Sequence, residues 1–332
     1  MRRKLSESVV VITGASSGIG RAAAHRFAAK GAAVVLAARD EAALGEAAAE
    51  CERLGGRALV VPTDVTGEDA VQALARQAVE TFGRIDVWVN NAGVSLLGRI
   101  EEVPIEAFRR VMETNFFGCV HGARAALPYM REQGGGVLIN VASVAAVVGG
   151  PFTSAYSTSK FAVRGLSECL RMELRQTGAD VDVVTLLPAF IDTPLFQHAA
   201  NFTGRAVQPM DPVNRVEVAA RAIVRAALHP RREIFVGRPA RREMIAHALV
   251  PRLLERVGAR KIAREHFADR PADVTLGNLF APRAPQAPTG GWKSERSAWG
   301  RLAVAGLLAV PALLAWRWRA PRTRGLLAAG AR

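Results

Sequence analysis

Tyrosine is almost absent from this chain, with two in 332 residues, and aromatic residues together make up 6% of it. Cysteine is as scarce: Cys51, Cys119 and Cys169 lie far apart in apolar or helical stretches. That excludes a disulfide scaffold and reads as reduced thiols of a cytoplasmic protein. The six histidines are scattered. None pairs with a Cys, a carboxylate or another His at a ligand spacing, so no metal site is expected. The lack of a fixed-period repeat excludes collagen and solenoids. Acidic residues are short as well, 30 against 44 lysines and arginines, for a net charge of +14. Such a charge suits nucleic acid or an anionic membrane surface. Sparse aromatics, and arginines spread over many helices, argue against nucleic acid, so no such partner is expected. No apolar run of leader length follows Met1-Arg2-Arg3-Lys4, so no signal peptide is expected.

What is present is apolar material, half of the residues, enough for a large core. Short runs read as strands recur at 9–12, 33–38, 57–61, 85–90, 136–142, 181–187 and 233–236. Helical patterns stand between them at 19–30, 41–54, 68–82, 105–131 and 155–176. Strict alternation means parallel strands joined by crossover helices, and continuously apolar strands mean a sheet covered on both faces. The expected fold class is α/β, a doubly wound parallel sheet (Rossmann fold). It forms a single catalytic domain over 1–240, with a C-terminal helical extension at 241–268. Within that region helices are expected at 239–257 and 260–267. Residues 269–298 are rich in Pro and Gly and read as a poorly ordered linker. Residues 299–332 carry an apolar run at 302–316, edged by Trp299, Trp316 and Trp318 and followed by arginines.

The first strand leads into Thr13-Gly14-Ala15-Ser16-Ser17-Gly18-Ile19-Gly20. Gly14 allows a tight turn, Gly18 lets the backbone approach a pyrophosphate, and Gly20 lets the helix pack on the sheet. The helix N-terminus then offers free N–H groups to phosphates. The end of the second strand is where a carboxylate selects NAD through the ribose 2′-hydroxyl. Here Ala38 stands at that position, followed by Arg39 and Asp40. A guanidinium there pairs with a 2′-phosphate, so NADP(H) is expected in preference to NAD(H). The alternative is a solvated Arg39 beside Asp40 acting as a helix cap. Tyr156 and Lys160 stand on one face of a helix. An ammonium near a phenol lowers the phenol's pKa and makes it a usable acid or base. Ser143 closes the fifth strand at the carboxyl edge of the sheet, where ligands bind in such folds.

In the order and spacing of these motifs, residues 9–236 resemble the short-chain dehydrogenase/reductase family. The resemblance is carried by T-G-A-S-S-G-I-G at 13–20, Asp64-Val65, Asn90-Asn91-Ala92-Gly93, Asn115, Ser143 and Y-S-T-S-K at 156–160. It implies a catalytic set of Asn115, Ser143, Tyr156 and Lys160. Tyr156 would give or take the proton and Ser143 would hold the substrate oxygen. Lys160 would lower the tyrosine pKa and bind the nicotinamide ribose, and Asn115 would complete a proton relay. It further implies that Gly14, Ser16, Ser17, Gly18, Ile19, Gly20, Arg39, Asp64, Val65, Asn91, Ala92, Gly93, Ile191 and Thr193 meet the cofactor, with Tyr156 and Lys160. One departure is Ala189 after Pro188, where the family has Gly. Its methyl costs little at negative φ and more at positive φ.

The resemblance implies an NADP(H)-dependent oxidoreductase that interconverts a carbonyl and an alcohol. The alternative is a catalytically idle nucleotide-binding or scaffolding member of the same fold. A lid at about 190–215 is expected to bring Phe190 and Leu195 to the substrate beside Ser143 and Tyr156. With Phe196, Phe202, Met210, Val144 and Val147 they suit a small lipophilic substrate, or else simply pack the lid on the domain. A homo-dimer or homo-tetramer is expected. The run at 302–316, with Pro311 inside it, is shorter than the about 20 residues of a spanning helix. It is expected to attach the protein to the cytoplasmic face of a membrane, or alternatively to dock on protein.

Overall fold

The computed structural model describes residues 4–237 and 240–292. The first strand, β1 (Val9–Thr13), is buried along its whole length. Val10 and Ile12 enter the core on one face, and Val9 and Val11 enter it on the other. A run of β-branched side chains with no polar face suits a central strand, and each buried side chain contributes roughly 1.5–3 kcal/mol.

The chain then alternates through α1 (Gly18–Ala28), β2 (Ala33–Ala38), α2 (Glu41–Arg53), β3 (Arg57–Pro62), α3 (Glu68–Phe82), β4 (Val87–Asn90) and the short β5 (Leu96–Leu97). It continues through α4 (Ile105–Met112), α5 (Gly118–Glu132), β6 (Gly136–Val141), α6 (Ser154–Gln176) and β7 (Val181–Pro188). The lid holds α7 (Leu195–His198), β8 (Ala200–Asn201) and β9 (Arg205–Val207). Last come α8 (Val216–Leu228), β10 (Glu233–Val236), α9 (Ala240–Leu249), α10 (Pro251–Glu265) and β11 (Phe267–Pro271). Seven strands form one parallel sheet in the order β10-β7-β6-β4-β1-β2-β3. The order reverses at β1, between β2 and β4. In open sheets of this type the crevice at the carboxyl ends of those strands is where ligands bind.

Three expectations are corrected. The helix expected over 105–131 is interrupted by a π turn, Glu113–Phe117, which carries Asn115. Such turns insert an extra residue and are frequent at functional sites. The helix expected over 239–257 is two, α9 and α10. The residue before a proline is pushed out of the helical region, and Val250, before Pro251, has φ −137° and ψ 59°. Residues 272–292, expected within a poorly ordered linker, instead run over the domain and bond to it. The Ala287 carbonyl accepts from the Gly18 N–H, and the Asp192 carboxylate accepts from the N–H groups of Gly290 and Trp292. Among the described residues no helix is long and apolar enough to cross a membrane. The run at 302–316, on which the membrane expectation rests, lies outside the described residues.

Candidate active site

The turn after β1 is held open from beneath. The Thr13 hydroxyl accepts from the N–H groups of Asn91 and Ala92 at 3.0 and 3.1 Å and donates to the Val89 carbonyl. The Asn91 side chain donates to the Thr13 and Gly14 carbonyls. Gly14 has φ +67°, and a Cβ on it would stand 2.8 Å from the Ala92 Cα. A Cβ on Gly20 would meet the Gly14 carbonyl oxygen at 2.2 Å. No side chain fits at either place, so nothing on the turn itself blocks the amide-lined N-terminus of α1 from an anionic ligand, although the Gly18 N–H is taken here by the Ala287 carbonyl. Ser16, Ser17, Gly18, Ile19, Asn91, Ala92 and Gly93 line one cavity of about 1100 Å³, with Asp64, Val65, Ile191 and Thr193. These residues fit a dinucleotide.

The catalytic candidates line the other end of the same cavity. Ser143, Tyr156 and Lys160 all face it. The Ser143 hydroxyl donates to the Pro188 carbonyl at 3.5 Å and accepts from the Ala145 N–H at 3.1 Å, and it favours ionisation of the neighbouring Tyr156 phenol. The Lys160 Nζ donates to the Val141 carbonyl at 2.9 Å and lies 5.7 Å from the centre of the Tyr156 ring. Asn115 does not join the lining; it is fully buried behind it. Its Oδ1 accepts from the Val94 N–H, and its Nδ2 donates to the Val94 carbonyl and to the Ser159 hydroxyl. It thereby ties the loop after β4 to α6. One expected effect does not prevail. Burial pushes the Tyr156 phenol above its usual range, offset in part by Ser143, and pushes the Lys160 ammonium down. Desolvation outweighs the help expected from Lys160, because both groups are taken out of water together. Ala189 carries its methyl without strain, since Phe152 is the one non-glycine residue with positive φ among the described residues.

Arg39 is not solvated. Its guanidinium donates to the carbonyls of Asn278 and Leu279 at 2.6 and 3.0 Å. Asp40 is the cap expected, accepting from the Ala43 N–H. Arg110 donates to the Leu279 carbonyl as well, and its ion pair with Asp64, with the Thr66 hydrogen bonds, holds that carboxyl below its usual range against desolvation. Further along, Gln286 meets the Ser16 hydroxyl and its carbonyl accepts from Arg21. The segment 278–292 therefore runs as a strap beside the whole dinucleotide turn. Proline-rich composition concealed it, because its order comes from bonds to residues far earlier in the chain, from Ser16 to Thr193.

Over the substrate end, Phe190, Leu195, Phe196 and Met210 line the cavity as expected, joined by Met244, Leu254, Val257 and Ile262 of α9 and α10. Phe202 lies elsewhere, in a cluster with Leu96 and Ala107. His266, absent from the expected set, packs edge to face against Phe190 and Phe196, with ring centres 5.8 and 5.7 Å away. A lone histidine after a helix carries no sequence signal for this.

Comparison with known proteins agrees with this geometry. An oxidoreductase of Bacillus subtilis (strain 168), YxnA, described as uncharacterized, is 38% identical over 325 residues, which is 95% of this chain and 91% of that one. The 11-beta-hydroxysteroid dehydrogenase A of Sesamum indicum is 39% identical over 243 residues, 70% of this chain and 68% of that one. A crystal structure of a short chain dehydrogenase/reductase from Burkholderia phymatum in complex with NAD superposes with a TM-score of 0.68 at 28% identity, covering 82% of this chain and 99% of that one. The short chain dehydrogenase family model matches residues 8–203, and on that match, the relatives and the shared fold, this chain belongs to the short-chain dehydrogenase/reductase family of oxidoreductases.

Proposed function

We propose that the protein interconverts a carbonyl and an alcohol on a lipophilic small molecule, with NADP(H) as the preferred nicotinamide cofactor. The observation that carries the reading is one cavity lined by the glycine turn, by Ser143, Tyr156 and Lys160, and by an aromatic substrate end. When bound, the dinucleotide supplies or accepts the hydride. Ser143 holds the substrate oxygen by its hydroxyl. The Tyr156 hydroxyl gives its proton to that oxygen on reduction and takes one from it on oxidation. Asn115 positions the loop at Val94 and the Ser159 hydroxyl rather than touching the substrate. Support for NADP(H) comes from Arg39 and Arg110 beside the end of β2, where Asp64 is paired with Arg110. The relative named for a hydroxysteroid supports a lipophilic substrate. Exposed Phe117, Phe161 and Met172 on or next to α5 and α6 support self-association. The test is oxidation of NADPH and of NADH by purified protein with a panel of lipophilic ketones. Binding of NADPH without turnover of any ketone would favour the idle reading instead.

A further inference from the structure

His266 ends α10, and its ring is 5% exposed. Its Nδ1 lies 2.6 Å from the Gln208 carbonyl oxygen. A carbonyl only accepts, so Nδ1 carries the hydrogen. Burial holds the imidazole below its usual pKa range, so the ring is neutral near pH 7 and its Nε2 is a bare lone pair. Nε2 has no hydrogen-bond partner among the described residues.

The ring cannot turn to find one. The Gln208 N–H donates to the His266 carbonyl at 3.0 Å, and the Gln208 side chain donates to the Glu265 carbonyl at 3.1 Å. Pairing of Phe267 with Val207 in β11 and β9 fixes the next register position. Phe190 and Phe196 wall the ring, and all three line the cavity that holds Tyr156. Nε2 is thus a fixed acceptor on the wall of that cavity, and a lipophilic ligand that displaces water from it leaves it unpaired unless the ligand donates to it.

We propose that His266 Nε2 is a specificity-determining acceptor for a hydroxyl of the substrate, distinct from the oxygen held at Ser143 and Tyr156. The substrate class is thus a lipophilic carbonyl compound that carries a second, hydroxyl-bearing position. The inference rests on the function proposed above, and its test separates the two.

The probes are a ring-fused ketone bearing one hydroxyl at the end remote from the carbonyl, its deoxy counterpart and its methyl ether. With the wild-type protein and NADPH, kcat/KM is expected to be at least ~10-fold higher for the hydroxy ketone than for either analogue. The methyl ether keeps the acceptor oxygen and loses the donor, so it is expected to behave like the deoxy compound. His266→Phe is expected to remove the preference, so that the hydroxy ketone, the deoxy ketone and the methyl ether share one kcat/KM, whatever its absolute level. Equal kcat/KM for all three probes in the wild type would overturn the assignment and leave the oxidoreductase reading standing. Retention of the preference in His266→Phe would overturn it too. No turnover of any probe would sink the oxidoreductase reading, and the assignment with it. The wild-type comparison decides the matter even where His266→Phe fails to fold.

Discussion

Arg39 donates to the carbonyl of Asn278, 239 positions later in the chain, at 2.6 Å. A guanidinium has five N–H groups, so bonds to Asn278 and Leu279 leave others for a 2′-phosphate. Arg39→Ala is expected to weaken NADPH by ~10-fold or more relative to NADH, the loss of a charge-assisted hydrogen bond. Fluorescence titration of both reduced cofactors measures it. An equal fall for the two would show that Arg39 serves only the strap.

Tyr156→Phe keeps the ring and removes the hydroxyl proposed to carry the proton in the cavity that Ser143 also lines. Turnover is expected to drop by about 10²–10⁴-fold, with cofactor affinity nearly unchanged. Steady-state kinetics alongside cofactor titration checks both halves, and wild-type turnover in the variant would remove Tyr156 from the mechanism.

Behind the site lies a buried polar chain. Trp88 donates to Asn90, Asn90 to Asn140, and Asn140 to Ser167, at 2.7, 2.9 and 2.9 Å. Asn140→Ala takes away one member and leaves its neighbours short of partners. Unfolding free energy in urea is expected to fall by about 1–3 kcal/mol. An unchanged midpoint would mean that water replaces the lost amide.

The Arg21 guanidinium holds the Glu50 carboxyl below the usual carboxylate range, with His25 adding to it. A depressed carboxylate contributes stability above its unfolded pKa and loses it as pH falls through the folded one. Stability is therefore expected to decline on acidification below the ordinary carboxylate range, and Glu50→Gln is expected to flatten that decline. Denaturant midpoints measured from pH 7 downward in both proteins compare the two slopes.

Exposed Phe161 and Met172 on α6 give a test of self-association. The protein is expected to sediment as a dimer or tetramer, and Phe161→Glu with Met172→Glu to shift it toward the monomer. A wild-type monomer at micromolar concentration refutes the expectation.

The strands were legible because each is a short apolar run that needs no partner to be recognised. Val9 to Ile12 is buried on both faces, as such a run requires. The glycine turn and the Tyr156–Lys160 pair were legible because their spacing is local. Three features were not. The π turn at Asn115 shifts the helical period by one residue, which side-chain pattern does not register. Residues 272–292 lack any period, and their order comes from Arg39, Arg110 and Asp192. His266 acts alone, and what makes it notable is Gln208, which carries no pattern of its own.

The strap also bears on timing. Asn278 and Gln286 line the same cavity as Gly14, Gly18 and Arg39. The segment is bonded to the Gly18 N–H, Arg21 and Arg39, so it holds groups that a dinucleotide seated along that turn would need. Where exchange of the dinucleotide needs those bonds to open together, escape becomes a segmental opening, slower than the side-chain rotations that admit a small substrate. The expected kinetic order is then sequential, with the dinucleotide first on and last off, and its departure pacing each cycle.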